Sequence, residues 1–302
     1  MEKLIIDTDF ETDCDDAGAL AILHGLADRG LVEPLGIVAS VNSCWPAAGV
    51  RALNLAFGRP ELPVGCNFDC PDTFAYRLHR ENHIPQLYHW KLVQRRPEAS
   101  PGRFRPEEAV ALYRRLLETA PDHSVTICAI GLLSSLAALL ESGASELIRR
   151  KVKLLVTMAE AMPPESSGGF NWEMNRRAAG RVLNHWPGEI AVSPMGRKIL
   201  TGAFPCADNE RGDFLRTAYS KMGGGDPKFL RPSWDHIAVL FAAGALGELA
   251  GVSRAGTLRY DSVAGLARWR EEAGGNVRFL EQRANDDRFA RFIQEWMAAS
   301  CR

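Results

Sequence analysis

An acidic turn between a short apolar run and an apolar helix constrains this chain more than any other feature. Leu4-Ile5-Ile6 precedes the turn, and residues 17–23 follow it with the pattern of a helix. The ten residues from Asp7 to Asp16 hold five aspartates and one glutamate. Such a density of like charge is stabilised when a hard cation binds the carboxylates, because calcium and magnesium prefer oxygen ligands. The alternative is a solvated turn in which one aspartate caps the helix.

The rest of the chain alternates short apolar runs with longer helical patterns. This alternation predicts a single α/β domain over residues 1–302, with a mostly parallel, doubly wound sheet and helices on both faces. Residues 67–101 lack a clean period and are predicted to form an irregular lid or binding loop. Residues 163–169 are predicted to form a flexible loop. The predicted strands are 4–6, 34–42, 62–66, 124–131, 152–158 and 189–193; the predicted helices are 17–23, 47–57, 106–119, 132–140, 175–186, 233–244 and 287–298, with a short helix beginning at Arg197.

Composition excludes several classes of partner. Hydrophobic residues make up 46% of the 302 residues, and the formal net charge is −1, so no basic field is available to attract nucleic acid. No apolar run approaches the ~20 residues that span a bilayer. No signal-peptide pattern precedes the first strand. The seven scattered cysteines are expected to be reduced thiols, which favours a cytoplasmic protein.

Polar residues follow several of the predicted strands and begin one late helix. In a doubly wound sheet the carboxyl ends of the strands lie on one edge, where ligands bind. Side chains from these positions are therefore expected to share one pocket. Carboxylates and amides around a hard metal ion would suit a polyhydroxylated ligand such as a sugar. The residues concerned are Asp9, Asp16, Asn42, Asn171 and Asp235.

The acidic turn resembles the signature of the inosine-uridine nucleoside hydrolases, DxDPGxDDA. Asp7-Thr8-Asp9 is followed by Asp15-Asp16-Ala17, with a turn two residues longer, as in a divergent subgroup. The resemblance covers most of the chain, because weaker matches follow in the family's order. These are the strand ending at Asn42, the segment 62–66 (similar to "PVxxG"), the segment 126–136 with the Ile130 carbonyl, the strand ending at Met158, Phe170-Asn171 (similar to "EFN") and Trp234-Asp235 (similar to "HD").

The resemblance implies a calcium-dependent enzyme that hydrolyses the N-glycosidic bond of a ribonucleoside or a related ribosyl compound. Asp9 would be both a metal ligand and the general base. The remaining calcium ligands would be Asp16, Asp235 and the backbone carbonyl of Ile130. The substrate-binding residues would be Asp15, Asn42, Met158, Asn171 and Trp234. Asp7 is expected to orient the turn.

The family mechanism and assembly are implied in the same way. Calcium would bind a water molecule and the ribose 2′- and 3′-hydroxyls, and Asp9 would take the proton of the water. The glycosidic bond would lengthen toward an oxocarbenium-like state, as in glycoside hydrolysis, and the base would leave from the opposite face. The partner would be a small nucleoside, and the chain would form a homodimer or homotetramer.

The sequence departs from the family pattern at three places. These departures affect the expected substrate more than the expected metal site. Trp234 replaces a histidine that acts as leaving-group acid; an indole cannot act as an acid, but it could stack on a base. His236 could substitute for that histidine, although a structural hydrogen bond is the favoured interpretation. Gly169 replaces the glutamate before "FN", and Glu165 or Glu173 could replace it. The family's lid motif has no match, so the residues that could cover the base are His79, His83, Tyr88, His89 and Trp90.

Two other functions remain open at this point. Phosphatases of the haloacid dehalogenase type also begin with DxD after a first strand and use magnesium, but they leave Asp15-Asp16 unexplained. A non-catalytic nucleoside- or sugar-binding protein on the same fold would explain the lost acid and Gly169. The presence of Asp9, Asp16 and Asp235 favours changed specificity over lost chemistry.

Overall fold

Strands and helices alternate along most of the chain. The computed structural model describes residues 1–11, 13–202 and 206–302, so Thr12 of the acidic turn lies outside the described residues. The strands are β1 (Glu2–Thr8), β2 (Val32–Ala39), β3 (Val64–Cys66), β4 (Glu107–Glu108), β5 (Val125–Ala129), β6 (Val152–Met158), β7 (Glu165–Ser166), β8 (Ile190–Ser193), β9 (Leu200–Thr201), β10 (Arg231–Pro232), β11 (Ala250–Val252), β12 (Gly256–Asp261), β13 (Leu266–Glu271) and β14 (Val277–Gln282).

The helices pack on both faces of the sheet. Their first and last residues are α1 (Asp15–Asp28), α2 (Cys44–Ala56), α3 (Phe74–Asn82), α4 (His89–Arg95), α5 (Ala109–Thr119), α6 (Ser134–Glu141), α7 (Ser145–Lys151), α8 (Gly169–Glu173), α9 (Arg176–His185), α10 (Glu210–Met222), α11 (Trp234–Ala242) and α12 (Asp286–Ser300). None of the helices in the described residues is long and apolar enough to cross a membrane.

One twelve-stranded sheet organises the molecule. Its strand order is β4-β3-β2-β1-β5-β6-β8-β14-β12-β13-β7, with β11 paired to β14. The strands from β4 to β14 in this order are parallel to their neighbours. After β1 the chain adds β2, β3 and β4 on one side of it, and β5 then pairs with the other side of β1. This change of direction at β1 makes a crevice beyond its carboxyl end, where ligands bind in open α/β sheets.

Adjacent residues of the central strands face opposite helical layers. Leu4 and Ile6 of β1 pack into one buried apolar cluster, whereas Ile5 packs into the other. Cys128 and Ile127 of β5 divide in the same way. A strand with both faces buried is apolar throughout, which explains the short unbroken apolar runs in the sequence. The predicted doubly wound, mostly parallel α/β fold is confirmed.

The structure corrects several predicted elements. Residues 67–101 are not irregular, because they contain α3, α4 and two short 3-10 helices. β2 ends at Ala39 rather than at Asn42, and no helix begins at Arg197. The segment 163–169 contains β7, and the pattern analysis did not predict α7, α8, α10 or the strands β9 to β14. These elements are short or mix polar with apolar residues, so they carry a weak periodic signal.

An antiparallel hairpin extends the parallel sheet. β12 pairs with β13 in register from Gly256 with Glu271 to Asp261 with Leu266. β13 in turn pairs with β7, so Ala267 lies opposite Ser166. The loop that follows β6 is therefore part of the sheet edge, and it is held by residues about one hundred positions further along the chain.

Candidate metal and substrate site

The carboxyl end of β1 is fixed by the end of β5. The backbone N–H groups of Ile130 and Gly131 donate to the Asp7 carbonyl at 2.8 and 3.2 Å. A Cβ atom at Gly131 would lie 2.4 Å from the backbone nitrogen of Asp9, so only glycine allows this approach. The Asp7 carboxylate is fully buried and accepts a 2.7 Å hydrogen bond from the Tyr113 hydroxyl. Asp7 is therefore buried and hydrogen-bonded within the fold, as expected for a residue that orients the turn.

Two helix N-termini converge on the acidic turn. Asp15 and Asp16 form the first turn of α1, and Asp235 lies in the first turn of α11. Carboxylate oxygens of these three aspartates lie within 4.8 Å of one another. The Thr8 hydroxyl donates to Asp16, and the backbone N–H of Asp235 donates to Asp15 at 3.3 Å. Helix N-termini favour negative charge, so the fold supports carboxylates here.

Burial and mutual repulsion raise the pKa values of these carboxyl groups. The pKa of Asp9 is raised to about 8, mainly by burial and then by the charge of Glu11. Burial also raises the pKa values of Asp15, Asp16 and Asp235 well above the usual range, and neighbouring aspartates raise them further. Positive charge at this position would relieve the repulsion among the four groups.

A cavity of about 230 Å³ lies over these carboxylates. Its acidic lining residues are Asp9, Asp13, Asp15, Asp16, Glu160 and Asp235. Its other polar or aromatic lining residues include His79, His83, Phe170, Arg231 and Trp234, with Met222 beside them. Arg231 is the only lysine or arginine among the described lining residues. The cavity is therefore strongly acidic, with an aromatic wall that we define as His79, His83, Phe170 and Trp234.

The donor set of this cavity fits a hard divalent cation. Four aspartates of the cavity are each at most 6% exposed: Asp9, Asp15, Asp16 and Asp235. Their side chains can supply only oxygen ligands. Burying carboxylates that are not paired with cationic side chains costs free energy. Calcium and magnesium ions bind groups of carboxylate oxygens of this kind. The three carboxylates that lie closest together include Asp16 and Asp235, two of the ligands implied by the resemblance, and add Asp15.

The structure also brings together Ile130, Met158 and Asn171, which the sequence assigned to one site. The Asn171 amide donates to the Ile130 carbonyl at 2.8 Å and lies 3.1 Å from the Met158 sulfur. All three residues line the cavity. Ile130 and Met158 lie at the ends of the neighbouring strands β5 and β6, and Asn171 reaches them from α8.

Asn42 is not brought to the cavity. Because β2 ends at Ala39, Asn42 lies in the following bend, where its backbone N–H donates to Asp72 at 2.8 Å. Its side-chain amide donates to the Phe68 carbonyl at 2.7 Å. Asn42 is absent from the described residues that line the cavity.

The carboxylate that lies beside Trp234 is Glu160, two residues after β6. The Trp234 indole N–H donates to Glu160 at 3.1 Å, and Arg197 donates to both carboxylate oxygens at 2.8 and 2.6 Å. The sequence named Glu165 and Glu173 as replacements for the family glutamate. Neither lines the cavity, and Glu165 instead pairs with Arg268 on the hairpin.

Two arginines from distant segments, Arg80 of α3 and Arg231 of β10, hold the acidic turn. Glu11 is 1% exposed and accepts hydrogen bonds from the Tyr76 hydroxyl at 2.8 Å and from Arg80 of α3 at 2.5 Å. Asp13 accepts two hydrogen bonds from the Nε of Arg231, at 2.7 and 2.9 Å, and a further one from its Nη2. Glu11 and Asp13 lie between Asp9 and Asp15, where this chain departs from the shorter family signature, so the longer turn carries its own anchors.

The histidines divide into two groups. His79 and His83 stack with ring centroids 4.1 Å apart and line the cavity. His89 is buried outside it, against Gly49. His236 is fully buried, and its Nε2 lies 3.1 Å from the Tyr219 hydroxyl, so it has the structural hydrogen bond that the sequence interpretation favoured.

Pattern reasoning missed Glu160 and Arg231 as lining residues. Each is a single charged residue next to a segment that was singled out, Glu160 after Met158 and Arg231 before Trp234. Nothing in their spacing distinguishes them from surface charges. Proximity to strand ends and to a helix start was the one available signal.

Known structures share this arrangement of strands and helices. A plant nucleoside hydrolase superposes with a TM-score of 0.72 at 17% identity, over 99% of both chains. The inosine-uridine preferring nucleoside hydrolase of Bacillus anthracis gives a TM-score of 0.67 at 20% identity, over 99% of this chain and 100% of that chain. This chain has the nucleoside hydrolase fold.

The nucleoside hydrolase fold also occurs in an effector protein. The type III effector XopQ, complexed with adenosine diphosphate ribose, gives a TM-score of 0.72 at 15% identity, over 99% of this chain and 94% of that chain. No protein-family model matches the present sequence, and no curated protein does either. Identities of this size establish the nucleoside hydrolase fold, and the activity is argued from the cavity.

Proposed function

We propose that this protein hydrolyses the N-glycosidic bond of a ribonucleoside or a related ribosyl compound to give ribose and the free base. The observation that carries the proposal is the group of buried carboxylates of Asp9, Asp15, Asp16 and Asp235 in a cavity beyond the carboxyl end of β1. This group lies at the change of strand direction in a nucleoside hydrolase fold.

A calcium ion is the proposed cofactor, held by Asp9, Asp16, Asp235 and the Ile130 carbonyl. When bound, such an ion supplies Lewis-acid chemistry, because it lowers the pKa of a water molecule and attracts sugar hydroxyls. The number of carboxylates favours calcium over magnesium, which keeps more of its own water ligands. The acidity of the cavity supports this assignment.

Side chains of this protein would take up the proton, hold the sugar and contact the departing base. Asp9 would accept the proton of the attacking water as general base. Asp15 and Asn171 would hold the sugar through hydrogen bonds. Trp234 would stack against the departing base, and the buried walls around Met158 would exclude bulk water from the reacting atoms.

The comparison with XopQ bears on the choice of substrate, and two alternative functions can be weighed against the proposal. XopQ is described with adenosine diphosphate ribose, so the ribosyl compound need not be a simple nucleoside. A non-catalytic binding protein would have the same fold and is separated from an enzyme by activity alone. The phosphatase alternative gains no support from the proteins with this fold that are described above.

The test is release of the free base, followed by chromatography, from a panel of purine and pyrimidine nucleosides and adenosine diphosphate ribose, with calcium and with a chelator. Calcium-dependent release of the base would support the proposal. A protein that binds calcium and releases a base from no compound would overturn it in favour of a binding protein.

A pair of variants tests the role of Asp9. Asp9→Ala is expected to abolish turnover, because no other group is assigned to take the proton of the water. Asp208→Ala is the matched control, since Asp208 is fully exposed and lies outside the cavity. Thermal unfolding of both variants checks that the fold is retained. Parental turnover by Asp9→Ala would refute its role as the base.

A further inference from the structure

The cavity has no ordinary acid for the leaving group at the position where the family pattern has one. Trp234 occupies that position, and its indole N–H donates to Glu160 at 3.1 Å. An indole does not give up its proton near neutral pH. A departing base that receives no proton must leave with negative charge, so another group in the cavity has to stabilise that charge.

Arg231 lies directly beside Trp234. Its Cζ atom is 5.4 Å from the centroid of the Trp234 ring, and both side chains line the cavity. Arg231 is a member of β10 and pairs with Thr201 of β9, so its backbone is held in a short antiparallel ribbon. The guanidinium is thus placed between the acidic turn and the aromatic wall.

Asp13 orients the guanidinium and leaves part of it available. The pair uses Nε and Nη2 of Arg231, both directed at the Asp13 carboxylate. Among the described residues, Nη1 donates to no acceptor in this structure. A planar guanidinium held at one edge can still donate from the other, and donation to an anion is stronger than donation to a neutral group.

Of the two histidines of the aromatic wall, His79 is poorly suited to protonate the base. Burial lowers the pKa of His79 to about 4, and the nearby His83 lowers it further in the same direction. The Nδ1 atom of His83 lies 2.7 Å from the His79 carbonyl. A carbonyl can only accept, so Nδ1 of His83 carries a hydrogen that it donates to this carbonyl.

We propose that Arg231 is the group that stabilises the negative charge on the departing base, in place of a general acid. This inference rests on the proposed function. Water adds its oxygen to C1′ and gives one proton to Asp9, while the C1′–N bond breaks and its electron pair stays on the base. Arg231 donates hydrogen bonds to the charged base, solvent then protonates the base, and Asp9 returns its proton to solvent.

The experiment compares two leaving groups in the full-length protein. One substrate is the nucleoside that the panel above identifies as the fastest, and the other is p-nitrophenyl β-D-ribofuranoside. Nitrophenolate carries its charge well without help, so its departure depends little on a cationic donor. The variants are Arg231→Met, Arg231→Lys and His83→Gln, with Arg278→Met as the matched control, because Arg278 pairs with Glu189 on the surface.

Arg231→Met is expected to lower kcat for the nucleoside by about 10²–10³-fold, the loss typical of removing one donor to a developing charge. The rate with the nitrophenyl riboside should fall by less than about tenfold, which also shows that the variant is folded. Arg231→Lys should recover part of the nucleoside rate, since it keeps the charge. Arg278→Met should match the parent with both substrates.

Three results would overturn the inference. An equal loss with both substrates would show that Arg231 only supports the structure of the cavity. An unchanged nucleoside rate would show that it does not act on the leaving group. A selective nucleoside loss in His83→Gln but not in Arg231→Met would identify His83 as the acid. If the parent protein hydrolyses neither substrate, the proposed function itself fails, and this outcome is distinct from the other three.

Discussion

A Cβ atom built on Gly169 would lie 2.9 Å from the Cβ of Glu160 and 3.3 Å from its backbone nitrogen. Gly169 also has a φ of +65°, in the left-handed region that glycine favours. A side chain at position 169 would therefore collide with Glu160. A glycine at position 169 thus leaves room for Glu160, the carboxylate that accepts a hydrogen bond from the Trp234 indole.

Replacing Gly169 by alanine tests this arrangement. Gly58→Ala is the matched control, because Gly58 has a φ of +75° but no atom within 4 Å of a built Cβ. Both variants carry the strain of a positive φ, and only Gly169→Ala adds overpacking. We expect Gly169→Ala to lower the free energy of unfolding by about 1–3 kcal/mol more than the control, measured by urea denaturation. Equal losses would contradict the close contact.

Calcium should stabilise the folded protein. The carboxylates of Asp9, Asp16 and Asp235 are buried together, and the unfolded chain has no such site. At a calcium concentration one hundred times Kd, the gain is about 2.7 kcal/mol. Differential scanning calorimetry with calcium and with chelator measures it. Asp235→Asn should reduce the calcium-dependent shift and Asp208→Asn should not; a chelator-insensitive melting temperature would contradict the metal site.

Trp234 should contribute mainly to substrate binding. Stacking on an aromatic ring is worth about 1–3 kcal/mol per base in nucleic-acid complexes. Trp234→Ala should therefore raise KM for the preferred nucleoside by about 5–150-fold, with a smaller effect on kcat. Trp45→Ala, which removes a partly exposed tryptophan outside the cavity, serves as the control. Unchanged kinetics in Trp234→Ala would remove Trp234 from the base site.

Buried His24 should make stability fall as the solution becomes acidic. Burial lowers its pKa to about 3, while Arg59, Arg211 and Asp28 face it and Asn54 lies 3.0 Å from its Nε2. Because the folded pKa lies below the unfolded value near 6.5, the unfolded chain binds the extra proton. The contribution of His24 is present above pH 6.5 and is lost toward pH 3, by about 2 kcal/mol at pH 5.

The measurement compares unfolding free energies at pH 7 and pH 5. His24→Gln should reduce the difference between the two pH values by about 2 kcal/mol. The exposed His185 supplies the control variant His185→Gln, which should leave that difference as in the parent. A parental pH difference in His24→Gln would show that His24 is protonated equally in both states.

The fold could be predicted because short apolar runs alternate with helical patterns along the sequence. The apolar runs around Ile5, Ile127 and Val156 are short and bounded by helical patterns, and each is buried on both faces of the sheet. The position of Asp9, Asp16 and Asp235 at one edge follows from the rule that strand ends share an edge. The assignment of that group as a ligand site is still a prediction, as are the roles of the individual residues.

The features that could not be predicted from the sequence depend on contacts between residues that are distant in the chain. Asn42 was expected at a strand end, but β2 stops three residues earlier, and no local pattern marks that point. Glu160 and Arg231 both line the cavity and both contact Trp234, although about seventy residues separate them in the sequence. The hairpin from β12 to β13 has a mixed composition, so its pairing with β7 cannot be read from alternation alone.

The pairing of β7 with β13 has a consequence for engineering this protein. The loop after β6 carries both Glu160 and Gly169, and its shape depends on a hairpin that lies about one hundred residues later in the chain. The two segments therefore form one transplantable module. Grafting the loop from another protein of this fold would require moving the hairpin with it, and changes at the hairpin's outer surface offer a way to reshape the cavity without altering any residue inside it.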